Sequence, residues 1–368
     1  MKRLLCLLSS MNAGGAEGFL MKIYRNLDKS AYQMDFCINV REKCFFEDEI
    51  LAMGGKIYRI PSKSENLKEF KRQLTEIIRR ENYDHVLRIT SSAMGFMDLQ
   101  IAKKAGARVC CARSSNASDG DSIKAKLVHR LGRMLYNRYV DVKIAPSDLA
   151  ARYTFGNKAY ETGKVNILHN GVDLGVFRYY PEERSAIREE FSVAPTTKLI
   201  GHVGRFDEQK NHMFLLDIFQ KIRRIDADTK LLLVGKGALE EKIREKAREL
   251  GISEHIIFAG VRSDVPHLLS AMDVFVMPSF YEGMPNTIIE AQATGLPCVI
   301  ADTITKEADI TGLVEYLPLT NADRWVERAL MAICENRADT KESFMAHEYD
   351  IESVVLEFVR LMYADPKK

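Results

Sequence analysis

The chain has 368 residues, of which 46% are hydrophobic and 28% are charged. This length and composition predict a globular protein of two domains, each of about 150 to 200 residues. No apolar run reaches the roughly 18 residues of a membrane span, so none is predicted. The seven cysteines are scattered, without a CxxC pair, and HExxH is absent. We therefore expect reduced, buried cysteines in a cytoplasmic protein and no metal site.

The net charge of +2 is unevenly distributed. Residues 1–180 carry 30 Lys and Arg against 19 Asp and Glu, a net charge of +11, and the remainder carries −9. A basic first half is expected to meet an anionic partner, since the summed field attracts opposite charge. Chance surface composition is the alternative. Nothing in the pattern indicates a nucleic acid.

Short apolar runs alternate with helical patterns from the first residues onward. The opening MKRLLCLLSSM has the charge order of a signal peptide, but its apolar part, residues 4–8, is shorter than an h-region of about 7 to 15 residues. It is predicted to be a buried strand, followed by strands in MDFCINV, GKIYRIP, YDHVLRIT, ARVCCAR and VKIAPS. Helices are predicted in LKEFKRQLTEIIRREN and in the basic segment 121–140.

The pattern restarts after KVNILHNGVDLGVFRYYPEE, where a strand ends in an Asn-Gly turn. Strands are then predicted in KLIGHVGRF, KLLLVGKG, IIFAG, VFVMPS and PCVIAD. Two such series predict an α/β protein with two Rossmann-like, doubly wound domains, residues 1–168 and 169–349, facing each other across a cleft. The final helical segment, about 350–368, is predicted to pack back on the first domain.

Two cations follow the first strand of the second series. Arg205 and Lys210 stand just past a glycine turn and ahead of a helix. A planar guanidinium fork and a compact ammonium group suit a diphosphate. The alternative is an ordinary solvated helix start, with Asp207 and Glu208 pairing the two cations. Gly235, in a Gly-x-Gly at the next strand end, would let the backbone approach a phosphate, although any tight turn can look the same.

The stretch SFYEGMPNTIIEAQATGLPCVI is more informative. Pro285 suits the first position of a helix that runs to a stop at Gly295. The free N–H groups at its start would face an anion. Glu290, in the second turn, can accept hydrogen bonds from both hydroxyls of a ribose, and Glu282, in the preceding loop, can accept one from a sugar hydroxyl. Two acids beside a phosphate are hard to explain as caps alone.

A glycine pair also follows the first strand of the chain. Gly14 and Gly15 open a helix, and their small size permits a ligand to approach from across the cleft. A Gly-Gly turn needs no ligand, so the two explanations remain open.

These motifs together resemble the GT-B-fold retaining glycosyltransferases of family GT4 (group 1), and within them the bacterial capsular and exopolysaccharide branch. The resemblance rests on NAGGAE, ILHNGVD, GHVGRFDEQKNH, LLLVGKGALEEKI and VPHLLSAMDVFVMPSFYEGMPNTIIEAQATGLPCVIAD, and it covers nearly the whole chain. The last segment is the most specific, since Glu282 and Glu290 form an E-x7-E arrangement.

The resemblance implies transfer of a hexose from a nucleotide-sugar, with retention of configuration and without a metal or other cofactor. Arg205 and Lys210 would bind the diphosphate and act in catalysis with Glu282 at the donor sugar. The remaining positions implied to bind the donor are Gly14, Gly15, Gly235, Met284, Asn286, Thr287 and Glu290.

Two positions depart from the family pattern. Arg113 stands where many relatives have a histidine that touches the donor sugar, and Ser114, Ser115 and Asn116 follow it. It is expected to contact a sugar or the acceptor. Pro285 replaces a common glycine and removes one N–H, so Met284, Asn286 and Thr287 would supply the rest.

The branch alone favours a UDP-sugar as donor and a growing, lipid-linked cell-surface glycan as acceptor. The basic helix 121–140 is a candidate for peripheral contact with an anionic membrane at its inner face. Packing of this helix on its own sheet is the alternative. A nucleotide-sugar epimerase and a non-catalytic nucleotide-sugar-binding partner are the alternative functions. A NAD-dependent oxidoreductase would need a fuller glycine fingerprint.

Overall fold

The computed structural model describes residues 1–12, 14–115, 123–282 and 284–363. It divides into two compact units, Met1–Gly171 with Glu348–Lys368, and Val172–His347. The predicted boundary after residue 168 lies three residues before the observed one. Within the described ranges, no helix is both long and apolar enough to cross a membrane.

The described part of the first unit is built on a parallel sheet in the order β3-β2-β1-β4-β5-β6-β7. Its central strands are mostly buried, because helices cover both faces of such sheets. The strands are β1 (Lys2–Leu7), β2 (Tyr32–Ile38), β3 (Ile57–Arg59), β4 (His85–Thr90), β5 (Val109–Ser114), β6 (Val142–Ala145) and β7 (Asn166–Ile167). The opening segment is thus a strand, as predicted, with Leu4, Leu5 and Cys6 fully buried.

Helices connect these strands. They are α1 (Gly15–Asn26), α2 (Glu47–Ala52), α3 (Lys63–Glu81), α4 (Phe96–Ala105), α5 (Ile123–Tyr136), α6 (Asp148–Phe155) and α7 (Asn157–Glu161). Short 3-10 turns cover Ala93–Gly95 and Asn137–Tyr139. The segments predicted to be helical correspond to α3 and α5, and the first two residues of the predicted segment 121–140, together with Asn116, lie outside the described residues.

The second unit repeats the same architecture. Its described strands form a parallel sheet in the order β10-β9-β8-β11-β12-β13. They are β8 (Lys198–Val203), β9 (Thr229–Val234), β10 (Ile256–Gly260), β11 (Val274–Met277), β12 (Cys298–Ala301) and β13 (Val314–Leu317). Sequence analysis missed β13, an edge strand, because Glu315 interrupts its short apolar pattern and most of it is only half-buried.

The helices of the second unit are α8 (Pro181–Glu190), α9 (His212–Ile225), α10 (Glu240–Glu249), α11 (Val265–Ala271), α12 (Asn286–Ala293), α13 (Ala322–Ala332) and α14 (Lys341–Ala346). Short 3-10 turns cover Glu208–Lys210, Ser253–His255 and Lys306–Ala308. Six of the seven cysteines are buried, but Cys334, just after α13, is exposed, so the expectation of burial is wrong for this residue.

The chain returns to the first unit in its last described helix, α15 (Ile351–Tyr363). Phe358 packs edge-on against Phe19 of α1, with ring centroids 6.3 Å apart. The hydroxyl of Tyr363 donates to the carbonyl oxygen of Gln33, at 3.2 Å. The predicted segment extended to residue 368, and residues 364–368 lie outside the described part of the chain.

In both sheets the strand order reverses beside the first strand of the unit, between β1 and β4 and between β8 and β11. The helices that follow two such strands pack on opposite faces of the sheet, which leaves a crevice outside the carboxyl ends of the strands. Ligands of doubly wound sheets bind there. The topology therefore directs attention to the loops that follow β8 and β11, and to those that follow β1 and β4.

Candidate functional site

The loops after β8 and β11 are fastened to each other at the switch point of the second unit. β8 and β11 pair in parallel, with Val274 opposite Ile200, so both loops leave the sheet side by side. The backbone N–H of Phe280 donates to the carbonyl oxygen of Gln209, at 2.9 Å, and Nε2 of Gln209 donates to the carbonyl oxygen of Tyr281, at 2.8 Å. These two bonds hold the first loop in register with the second.

The same contact brings two predicted site residues together. Nζ of Lys210 lies 2.7 Å from Oε1 of Glu282, and only 13% and 8% of the two side chains are exposed. Nε2 of Gln209 donates to the other carboxylate oxygen, at 3.1 Å. A largely buried ion pair depends on both partners, because removal of one leaves an uncompensated charge in a poorly solvated place.

The structure separates the two predicted cations. Asp207 caps the 3-10 turn by accepting a hydrogen bond from the backbone N–H of Lys210, at 3.3 Å. Its other oxygen, Oδ2, lies 3.2 Å from Nη2 of Arg205, whose side chain is 79% exposed. Arg205 therefore pairs with an acid of its own loop, as the alternative of a solvated helix start predicted. Lys210 instead pairs with Glu282 of the loop after β11. A contact between Arg205 and a diphosphate stays a prediction.

Two histidines that sequence analysis treated as scattered lie beneath this loop. His202 on β8 and His212 at the start of α9 are buried, with ring centroids 4.8 Å apart. Nδ1 of His202 lies 2.9 Å from the carbonyl oxygen of Val276. Burial lowers the pKa of His212 to about 4, and it also lowers that of His202 well below its usual value. Both rings are therefore neutral at pH 7.

Gly235 has a packing reason to be glycine. Its φ is +139°, and a Cβ there would lie 2.0 Å from the carbonyl oxygen of Gly204. A Cβ on Gly237 would likewise lie 2.3 Å from the carbonyl oxygen of Phe206. The loop after β9 thus lies directly on the loop after β8. A contact between Gly235 and the donor stays a prediction.

Helix α12 presents three of the predicted donor-binding residues on one side. Asn286, Thr287 and Glu290 are half-buried, whereas Ile288 and Ile289 are buried in the unit. Residues three and four apart share a helix face, which puts the three together. Met284, half-buried, precedes the helix, and Gly283 lies outside the described residues.

The ends of α12 differ partly from the prediction. The helix begins at Asn286, and Pro285, with φ −79° and ψ 102°, is the N-cap and not the first helical residue. The stop at Gly295 is confirmed. Its N–H donates to the carbonyl of Gln292, and that of Leu296 donates to the carbonyl of Ala291, which is the Schellman arrangement.

In the first unit, Gly14 and Gly15 lie beside a polar pocket at the other switch point. The pocket, of about 140 Å³, is lined at strand ends by Ser9, Arg88, Thr90 and Ser115, among others, and from α1 by Ala16 and Glu17. Gly14 caps α1 in an extended conformation, and a Cβ there would lie 2.4 Å from the carboxylate of Glu17. Burial raises the pKa of Glu17, a residue that sequence analysis did not single out.

Arg113 is enclosed by the first unit, and its expected contact with a sugar or the acceptor stays a prediction. Arg113 is 2% exposed, and its guanidinium lies over the ring of Phe19, at 3.6 Å from the centroid. Nη2 donates to Oδ1 of Asn170, at 2.6 Å. Burial lowers its pKa to about 9, and no carboxylate forms an ion pair with it among the described residues. Arg113 therefore ties strand β5 to the segment that leaves the first unit.

No metal-binding cluster of three or more His, Cys, Asp or Glu side chains occurs in the part of the chain that the structure describes. Of the predicted site residues of the second unit, Lys210 and Glu282 are in direct contact, at the switch point between β8 and β11. Gly14, Gly15 and Arg113 belong to the first unit.

Comparison with known proteins gives matches to both halves of the chain. Residues 13–176 match the sequence model of "Glycosyltransferase Family 4", and residues 197–333 match that of "Glycosyl transferases group 1". EpsF of Bacillus subtilis, whose name gives it only as a glycosyltransferase, is 36% identical over 96% of this chain and 94% of its own length.

Two further proteins are more distant. An Escherichia coli enzyme named as a UDP-Gal:alpha-D-GlcNAc-diphosphoundecaprenol alpha-1,3-galactosyltransferase is 26% identical over 62% of this chain and 60% of its own. The crystal structure of Anabaena HepE with UDP and glucose superposes with a TM-score of 0.78 at 17% identity, covering 98% of this chain and 99% of HepE. At this sequence identity, the match to HepE shows a similar fold.

Proposed function

Because this chain belongs to glycosyltransferase family 4, we propose that it transfers a hexose from a UDP-sugar to a growing cell-surface polysaccharide. The glycosyltransferase class and the GT-B fold predicted from the sequence are confirmed by the relative EpsF and by the two parallel-sheet units. UDP as the nucleotide is supported by HepE, which was crystallised with UDP and glucose. A lipid-linked acceptor is supported by the name of the Escherichia coli galactosyltransferase.

The observation that carries the proposal is the pairing of Lys210 with Glu282 at the switch point of the second unit. A bound diphosphate would attract Lys210, because hydrogen bonds between an ammonium group and phosphate oxygens are strengthened by the opposite charges. Glu282 would then be free to accept hydrogen bonds from the hydroxyls of the sugar. The pair thus offers one cation to the leaving group and one carboxylate to the sugar.

The reaction that we propose proceeds with retention of configuration and without a divalent metal. Negative charge builds on the departing diphosphate as the bond between sugar and phosphate breaks. Lys210 and the exposed Arg205 would stabilise that charge, aided by the N–H groups at the start of α12. We place the reaction in the cytoplasm, where a lipid-linked acceptor would be met at the inner face of the membrane. Addition of EDTA should leave the rate unchanged.

The function is tested by incubating the protein with a UDP-sugar, with and without lipid-linked glycan extracted from the producing cells. A transferase releases UDP and extends the glycan only when the acceptor is present. An epimerase would convert the sugar while leaving the nucleotide attached, and a non-catalytic partner would bind the donor and change nothing. Thermal shifts with UDP-, GDP- and TDP-sugars identify the nucleotide, since a ligand stabilises the state that binds it.

Replacing Glu290 by alanine should raise the donor KM about 10- to 100-fold. The variant lacks the carboxylate that would accept hydrogen bonds from the ribose hydroxyls, and a net loss equal to one charged hydrogen bond, about 1.5–3 kcal/mol, gives a change of this size. Steady-state kinetics with varied donor concentration measure the change. The control is Glu327→Ala, the same substitution at an exposed position of α13, for which we expect no effect. Equal donor KM values for the two variants would refute the ribose assignment.

A further inference from the structure

The first unit has a larger cavity away from its switch point, at the carboxyl ends of β2 and β3. It is lined by the segments that follow these two strands and by α3, and we call it the β2–β3 pocket. Its volume is about 420 Å³, against about 140 Å³ for the pocket at the switch point of the same unit. Pockets that bind small ligands measure about 300–1,000 Å³, so the β2–β3 pocket has room for one.

The lining of the β2–β3 pocket combines aliphatic and planar polar side chains. Ile60 is buried, and Val40 and Pro61 are half-buried. Planar amide, carboxylate and guanidinium groups belong to Asn39, Arg41, Arg59, Glu65, Glu69 and Gln73. A pyranose ring has the matching surfaces, since its faces carry C–H groups and its edge carries hydroxyls that pair with such planar groups. Among the described residues that line the pocket none is aromatic, so a nucleobase would find no ring to stack on.

Asn39 shows how the pocket is held open to a hydroxyl group. Its Nδ2 donates to the carbonyl oxygens of Ile60 and Pro61, at 3.3 and 3.4 Å, which ties the segment after β2 to the one after β3. Two carbonyl acceptors fix the nitrogen side of the amide. The other side, Oδ1, is therefore the one that can accept a hydrogen bond from a ligand.

Helix α3 is interrupted where it borders the pocket. Asn66 has non-helical angles, φ −155° and ψ 92°, and its Oδ1 accepts a hydrogen bond from the N–H of Glu69, at 3.0 Å. The first turn of α3 is thus set apart from the rest, and Glu65 in that turn pairs with Arg41 of the segment after β2. Both side chains of this pair are exposed, so a bound sugar can take over their hydrogen bonds at little cost.

The β2–β3 pocket adjoins the pocket at the switch point. The N–H of Asn39 donates to the carbonyl oxygen of Ser9, at 3.0 Å, and Ser9 lines the pocket at the switch point. In the strand order β3-β2-β1-β4 the two pockets are centred two strand spacings apart, or about 10 Å. A glycan whose terminal sugar lies at the switch point therefore reaches the β2–β3 pocket with a sugar further back in its chain.

We propose that the β2–β3 pocket binds an internal sugar of the acceptor glycan, behind the terminal sugar that receives the hexose. The inference rests on the proposed function, since only a transferase that extends a glycan has such an acceptor. It assigns part of acceptor recognition to a site away from the reacting hydroxyl. An acceptor with a single sugar does not reach this pocket, so the protein selects acceptors by length.

Acceptor kinetics with glycans of two lengths test the proposal. The substrates are lipid-linked acceptors from the producing cells, either with the complete glycan or trimmed to one sugar. Arg41→Ala/Glu65→Ala should raise KM for the complete acceptor at least about tenfold, the effect of losing one charged hydrogen bond. Gln73→Trp, which puts a bulky ring into the pocket, should raise it as much or more. In both variants KM for the trimmed acceptor and for the donor should stay unchanged.

Each variant has a matched control in the first unit. Lys71→Trp places the same ring at an exposed position of α3, two residues from both Glu69 and Gln73 and so on the other side of the helix. Glu357→Ala/Arg360→Ala removes an ion pair on the surface of α15. Both controls should behave like the unaltered protein. An equal rise of KM for the trimmed acceptor would refute the proposal, and so would an unchanged KM for the complete one.

Calorimetry without a donor separates this proposal from the proposed function. The complete glycan, released from its lipid, and its single terminal sugar are titrated into the full chain. We expect the glycan to bind and Gln73→Trp to lose that binding, whether or not sugar transfer is observed. If the single sugar binds as tightly as the glycan, and Gln73→Trp abolishes both, the pocket belongs to a free monosaccharide and the proposal is wrong. Should Gln73→Trp fail to fold, the exposed pair Arg41→Ala/Glu65→Ala gives the same test.

Discussion

Replacing Lys210 by alanine will lower kcat/KM for sugar transfer about 100- to 1000-fold, the loss typical of removing one group that stabilises charge in a transition state. The Lys210 side chain is largely buried between the loops after β8 and β11, so water cannot take over its role at the diphosphate. The change also leaves Glu282 without its cation, which adds an unpaired carboxylate to the site. Steady-state and single-turnover rates separate the chemical step from donor binding.

Three variants make this prediction specific. Lys210→Arg keeps the charge and should retain more activity than alanine. Lys221→Ala, at an exposed lysine of α9 that pairs with Asp323, should leave the rate unchanged. In Lys210→Ala/Glu282→Ala the unpaired carboxylate is gone, so stability should recover while activity should not. If the double variant regains activity, the pair has only a structural role.

Protonation of His212 alone should lower the free energy of unfolding of the second unit by about 3 kcal/mol as the pH falls from 7 to 4. In the unfolded chain a histidine has a pKa near 6.5, whereas burial lowers that of His212 to about 4. A group with a lowered pKa of this kind stabilises the fold above pH 6.5 and loses that contribution as the pH falls toward the folded value. The groups that act on His212 besides burial are Asp207, which raises its pKa, and Lys210, which lowers it. His202 contributes in the same direction as His212.

The tryptophan signal makes this loss measurable in one unit. The chain has a single tryptophan, Trp325, and it is fully buried in the second unit. Denaturant unfolding, followed by the fluorescence of Trp325 at several pH values, measures the slope of the free energy of unfolding against pH. His212→Phe should reduce this slope, because phenylalanine does not titrate. The substitution breaks no hydrogen bond of the ring, since neither ring nitrogen of His212 has a partner within the described residues. His347→Gln, at an exposed histidine, is the control, and identical slopes for the two variants would contradict the prediction.

Much of this protein is determined locally by its sequence. Strands of a doubly wound sheet are apolar on both faces, so runs such as KLIGHV and KLLLV indicate them without further information. Strand β13 was not predicted, because an edge strand has one solvated side and needs no continuous run of apolar residues. The helix stop at Gly295 was predictable as well, since a left-handed residue ends many helices and glycine adopts that conformation without strain. The half-buried residues of α12 that the motif and the helix spacing single out share one side of the helix, and their contact with a donor stays a prediction.

The tertiary structure alone decided which of these residues meet. Lys210 and Glu282 are 72 residues apart and touch because the strand order puts β8 beside β11. Arg113 is buried in contact with Phe19 and Asn170, which come from distant parts of the chain. Periodicity shows that α5 has an apolar side but not where that side points. The close approach at Gly132 turns it outward, since only a residue without a Cβ fits against the backbone there.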